Sequence, residues 1–244
     1  MDPTVISAFA GAVPLSMERH PMRTDNEMRT DILAELSWDA GIRDEDIAIA
    51  VKEGVVTIAG TVDTYAQRYG AERAVERVHG VRAIANDLKV KLPGTLERSD
   101  ADLAHAAVNA LRWNIQVPDD RIQVKVANGW LTLEGEVDRF FQKEAAEHAL
   151  RYLTGVKGVA NLITLRAAPT PSDVKQRIRT SLKRQAEVDA EHVSVETSGS
   201  RVTLRGTVRS VAERRDAERA AWNAPGVMRV DNELAVALPI AAAF

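Results

Sequence analysis

Hydrophobic positions along this chain change period in a fixed order, and the order occurs three times. Met28, Ile32 and Leu36 recur every four residues beside Leu33; Leu103, Ala107 and Leu111, then Val174, Ile178 and Leu182, do the same. That spacing lays one apolar stripe along a helix. Trp38 and Trp113 end the first two helices at matching places and read as part of the core. The third copy has Arg184 there and must close that part of its core differently. The period then drops to two. Ile47, Ile49 and Val51 alternate with other residues, as do Ile122, Val124 and Val126, then Val193 and Val195. This predicts a half-buried strand. Glycine-bearing turns follow at Lys52–Gly54, Ala127–Gly129 and Thr197–Ser200, and then a second alternating run: Val56 and Ile58, Leu131 and Leu133, Val202 and Leu204. A hairpin is the expected result, with Asn128-Gly129 the favoured turn pair.

A second helix is marked by small residues: Ala71, Ala74, Val75 and Val78; Ala146, Ala149, Leu150 and Leu153; Ala217, Ala220, Ala221 and Ala224. Glu72, Glu147 and Glu218 stand one turn beyond Arg68, Lys143 and Arg214, which predicts ion pairs on the solvent side. Gly80, Gly155 and Gly226 read as helix C-caps. A last strand holds Ile84, Leu88 and Val90, matched by Val159, Leu162 and Leu165, and by Val230, Leu234 and Val236. Asn86, Asn161 and Asn232 interrupt it and predict a bulge or a side-chain-to-backbone bond. Gly60, Gly135 and Gly206 sit inside the second strand, where glycine signals a bulge or a close backbone approach.

The landmarks Gly60, Gly80 and Asn86 keep spacings of 20 and 6 in each copy, and the copies are offset by 75 and then 71 residues. A unit of this length exceeds the usual solenoid periods and is long enough for a small core of its own. The fold class is therefore α+β: three tandem small α-β-β-α-β domains, each a three-stranded mixed sheet with two helices on one face. The expected organisation is a flexible leader at 1–21, with Met22 an alternative start, and domains at 22–93, 99–167 and 172–239. Pro93–Asp100 and Ala167–Asp173 read as linkers that run into a helix cap.

These elements and three phrases, "GVVTIAGTV", "ERVHGV" and "VRAIANDLKV", resemble the BON domain family, named for bacterial osmotically induced and nodulation proteins. The resemblance covers roughly 25–92, 99–166 and 172–238. It implies a non-enzymatic module associated with osmotic and envelope stress, which binds phospholipid or other envelope surfaces. Family members with two copies carry a signal peptide; this N-terminus has Asp2 where a basic region is wanted and Pro14 inside the apolar run. The expected address is the cytoplasm or the periphery of a membrane, with the periplasm as the alternative.

Composition narrows the chemistry. Net charge is −3 and there is no cysteine, so thiol nucleophiles and disulfides are excluded. No apolar run is long enough to cross a membrane. His20, His79, His105, His148 and His192 form no ligand pattern, and no nucleophile elbow, phosphate loop or dinucleotide fingerprint is present. The acidic turns Arg43–Ile47 and Pro118–Ile122 lack calcium-loop spacing. No catalytic residue, metal or cofactor is expected. Charge runs from −3 in residues 22–93 through −1 in 94–171 to +2 in 172–239. Lys175, Arg179 and Lys183 on one helix of the third copy, with Arg214, Arg215 and Arg219 on the other, are the candidate contacts for anionic phospholipid or a partner protein. Aromatic residues do not interleave with them, which argues against nucleic acid. The leading expectation is a stress-associated binding protein on an envelope surface. The alternative is a soluble protein-interaction scaffold or chaperone-like stress protein.

Overall fold

The computed structural model describes residues 24–39, 41–42, 46–166, 173–184 and 192–237. The expected leader, most of the Ala167–Asp173 linker and the acidic stretches 43–45 and 189–191 lie outside the described residues. The first module runs α1 (Asp25–Trp38), β1 (Ile47–Lys52), β2 (Val55–Val62), α2 (Tyr65–Arg77) and β3 (Ala83–Val90). Thr24 caps α1: its hydroxyl accepts from the Glu27 amide, and the Glu27 carboxylate accepts from the Thr24 amide. The stripe Met28, Ile32 and Leu36 is buried against Ile47, Ile49, Val56 and Ile58 of the sheet and Ala71, Ala74 and Val75 of α2. Strand β2 is central, antiparallel to β1 and parallel to β3. Ala48, Ala50 and Val55 face away and are exposed, so both helices cover the same sheet face.

The second module repeats this with α3 (Asp100–Trp113), β4 (Ile122–Ala127), β5 (Trp130–Val137), α4 (Phe140–Arg151), β6 (Gly158–Asn161) and β7 (Thr164–Leu165). Here the third strand breaks after Asn161 and resumes as β7, still parallel to β5. The third module has α5 (Val174–Arg184), β8 (Val193–Ser198), β9 (Arg201–Val208), α6 (Val211–Trp222) and β10 (Arg229–Val236). Each module buries its own hydrophobic core.

Gly60, Gly135 and Gly206 mark a close backbone approach. Their φ angles are 138°, 140° and 128°. A Cβ would lie 2.0, 2.2 and 1.9 Å from the carbonyl oxygens of Asp46, Arg121 and His192, far inside contact. Asn86 sits in an unbroken register opposite Ile58, so no bulge forms. Its carboxamide instead takes the Leu88 amide on one side and donates to Glu72 on the other. Asn161 and Asn232 do the same with Ile163 and Glu147, and with Leu234 and Glu218.

Three expectations need correction. Glu72, Glu147 and Glu218 turn to these asparagines and are partly buried, so they do not form the solvent-side ion pairs predicted. Their expected partners Arg68, Lys143 and Arg214 donate to the carbonyls of Asn86, Ile163 and Asn232. Gly80, Gly155 and Gly226 lie past the helix ends, whose C-caps are Val78, Tyr152 and Asn223. Each glycine is the third residue of a turn closed by a backbone bond, Val81 to Val78, Val156 to Leu153 and Val227 to Ala224. That place needs a positive φ, and Pro225 before Gly226 fits the same turn. Trp38 and Trp113 are not core residues: they are 90% and 87% exposed. Two residues past Leu36 or Leu111 is about 200° around a helix, which points the indole away from the stripe.

The modules meet through their second helices. Tyr65, first residue of α2, packs against the core of module two and is hydrogen-bonded to the Val159 backbone. Its counterpart Phe140, first residue of α4, stacks on Trp222 of module three at 5.3 Å. The third counterpart, Val211, first residue of α6, packs against the core of module one. One position thus reaches from module one to two, two to three, and three back to one. The contacts are head-to-tail and close into a ring of three modules.

Candidate functional site

One turn further along the second helices lie Tyr69, Glu144 and Arg215, again counterparts. Each meets the next module through different chemistry. The Arg151 guanidinium lies 3.4 Å from the centre of the Tyr69 ring and bonds Glu147. Arg219 meets Glu144 at 2.9 Å. Arg215 meets Glu76 at 2.9 Å, and Glu76 is buried and also bonded to Arg73. Burial opposes the charge on Arg215, but Glu76, Tyr69 and Glu147 outweigh it and hold its pKa above the usual guanidinium value. Burial also pushes the Tyr65 hydroxyl pKa up, and Glu147 adds to the effect. For Lys143 burial lowers the pKa against the pull of Glu147. A small cleft at the second seam is lined by Phe140, Lys143, Glu147, Arg215, Arg219 and Trp222.

This geometry sorts the six basic candidates. Arg215 and Arg219 tie seams between modules, and Arg214 bonds the Asn232 carbonyl inside its own module. Lys175 is half-buried and Arg179 exposed on α5; Lys183 is on the same helix, with its side chain outside the described residues. The structure therefore does not gather the six on one surface. What the sequence pattern missed is apolar: Trp38, Trp113, the fully exposed Ile115 and the half-exposed Val108. A wider groove of about 500 Å³ runs between α1 and the end of α2, lined by Asp31, Glu35, Trp38, Arg77 and His79, with Arg77 and Glu35 paired at 3.0 Å. Among the described residues no cluster of three His, Asp or Glu could hold a metal ion, and no helix is long and apolar enough to cross a membrane.

Comparison with known proteins agrees with the threefold organisation. The BON domain model matches residues 24–91, 99–167 and 171–237. Osmotically-inducible protein Y of Escherichia coli (strain K12) is 28% identical over 142 residues, which are 56% of this chain and 70% of the relative. Among solved structures, the C-terminal domain of CdsD, the structural protein of the type III secretion system of Chlamydia trachomatis, is 12% identical. It covers 87% of this chain and 98% of its own, with a TM-score of 0.24. A second CdsD structure is 14% identical, covers 85% and 91%, and has a TM-score of 0.23. With three matched segments spanning most of its length, the chain belongs to the BON domain family.

Proposed function

We propose that the chain is a non-enzymatic, stress-associated adhesion protein whose three modules engage an anionic phospholipid surface of the envelope as one body. The observation that carries this reading is the closed ring. Linked weak sites gain avidity when geometry allows them to engage together, and modules held in contact with one another present their contacts in a constant arrangement. The likeness to an osmotically inducible protein supports the link to stress. The exposed Arg179 and the positive third module supply attraction to anionic headgroups, worth about 1 kcal/mol per basic residue near the surface.

The full chain should sediment with vesicles containing phosphatidylglycerol at low salt and be released as salt rises. Equal pelleting with neutral phosphatidylcholine at every salt concentration would count against the electrostatic mechanism. The groove beside Trp38 favours a second reading, a protein-interaction scaffold. That reading expects no vesicle binding and a protein partner that protects Trp38 from solvent.

A further inference from the structure

The outer face of each sheet, turned away from the helices, differs from module to module. In β5 the buried Leu131 and Leu133 alternate with Trp130, Thr132 and Glu134, so these three share the outer face. Trp130 is 49% exposed and stands beside Gly158 in the register of β5 with β6. A Cβ on Gly158 would lie 2.3, 2.5 and 2.7 Å from the ring carbons Cζ3, Cε3 and Cη2. Three consecutive ring atoms at nearly equal distances place the indole face-down on the glycine backbone; an edge-on ring would hold two of them well beyond the first. Its opposite face is the exposed one. The other modules have no such pair. Val55 and Ala83 occupy these positions in module one, and Arg201 and Arg229 in module three, so each has the Cβ that the ring excludes. One row along the same face, Lys125 of β4 lies opposite Thr132, and its ammonium meets the Glu134 carboxylate at 2.6 Å. Farther on, Arg166 meets Glu136 at 3.1 Å. The strip thus begins with an aromatic platform and continues in charges that are already paired.

We propose that this strip of module two is a saccharide-binding site, and that it takes a neutral linear chain of pyranose units laid along β5. The inference is independent of the adhesion reading above. A pyranose ring presents a face of C–H groups that carry slight positive charge, and the indole face is negative, so the two stack. Around its rim the sugar bears hydroxyls that both give and accept hydrogen bonds. Lys125 supplies donors, Glu134 supplies acceptors, and the partly exposed Thr132 hydroxyl supplies both. Outward residues of a strand recur about every 7 Å, so a second sugar unit reaches the Lys125–Glu134 pair while the first rests on Trp130. The charge balance selects this occupant. A phosphate-bearing chain would want unpaired cations, and an acyl chain would want an apolar strip where these ion pairs stand.

The test titrates the full chain with cellotetraose and, separately, with N-acetylated chitotetraose, followed by calorimetry and tryptophan fluorescence. At least one should bind saturably with a Kd in the millimolar range or tighter, and a preference between them separates a plain glucan from an N-acetylated one. Salt should leave the affinity unchanged, because the ligand is neutral, whereas vesicle binding falls as salt rises. Trp130→Ala should weaken binding at least about tenfold, and Trp130→Phe, which keeps an aromatic face, about threefold. Gly158→Ala keeps the indole but lifts it off the backbone, and should weaken binding about fivefold. Its circular dichroism should match the native chain, because only the end of an exposed side chain has to move. No saturable binding of either tetrasaccharide at about 10 mM overturns the proposal, whatever the vesicles show. Affinity unchanged by Trp130→Ala overturns it as well, since the sugar would then sit elsewhere. Affinity unchanged by Gly158→Ala overturns the face-down platform as its basis.

Discussion

The module interiors and the seams between modules obey opposite rules. Inside each module the same requirement is met by the same residue three times: a glycine against a carbonyl, an asparagine against a glutamate, a four-residue stripe under a sheet. At the seams the same positions hold different residues. Tyr69, Glu144 and Arg215 are counterparts, yet one meets a guanidinium over its ring, one meets an arginine and one meets a buried carboxylate. Interiors answer to the fold, which is common to all three modules. Seams answer to a particular neighbour, and complementary differences keep the modules in order.

The largest effect expected is in the interiors. Gly60→Ala, Gly135→Ala and Gly206→Ala each put a methyl group within contact of a backbone oxygen at a φ that alanine avoids, and should each cost about 3 kcal/mol or more. Chemical denaturation should give similar losses in all three; widely different losses would mean that the interiors are not equivalent. At the third seam, Glu76→Gln leaves Arg215 and Arg73 without their carboxylate and should cost about 2 kcal/mol, below the value for a fully buried pair because Arg215 is partly wetted. Replacing both Glu76 and Arg215 with leucine should recover most of that loss. At the second seam, Trp222→Ala should cost about 2 kcal/mol from the lost stack and packing. Phe140→Ala in that background should add little, because the two rings serve one contact.

The first seam should respond least. Tyr65→Phe removes one hydrogen bond, about 1 kcal/mol. It should also change the alkaline limb of stability. The folded-state pKa of Tyr65 is raised, so its contribution is complete below the ordinary tyrosine value near 10 and is lost as pH climbs through the folded value. The phenylalanine variant should lack that part of the alkaline loss.

The interiors were legible in the sequence because their signals are local. A stripe, an alternation and a glycine at a fixed spacing are all set within one unit. The tryptophans were misread, although their place two residues past the stripe holds the correct answer. The glutamates were misread for a different reason. A basic residue four positions away is an obvious partner, but Asn86, Asn161 and Asn232 arrive from the third strand, and only the fold brings them close. The seams lay further out of reach. Arg215 and Glu76 are 139 residues apart, and no spacing links them. The one signal available was disagreement: where three similar copies differ at matching, well-spaced helix positions, each copy is fitted to its neighbour.

Head-to-tail contacts that never meet their own beginning produce open filaments. Here the third tail finds the first head, so the head-to-tail contacts close within one chain. Removing the third module would strip Glu144 of Arg219, Phe140 of Trp222 and Glu76 of Arg215, so the shortened chain would lose two of its three seams.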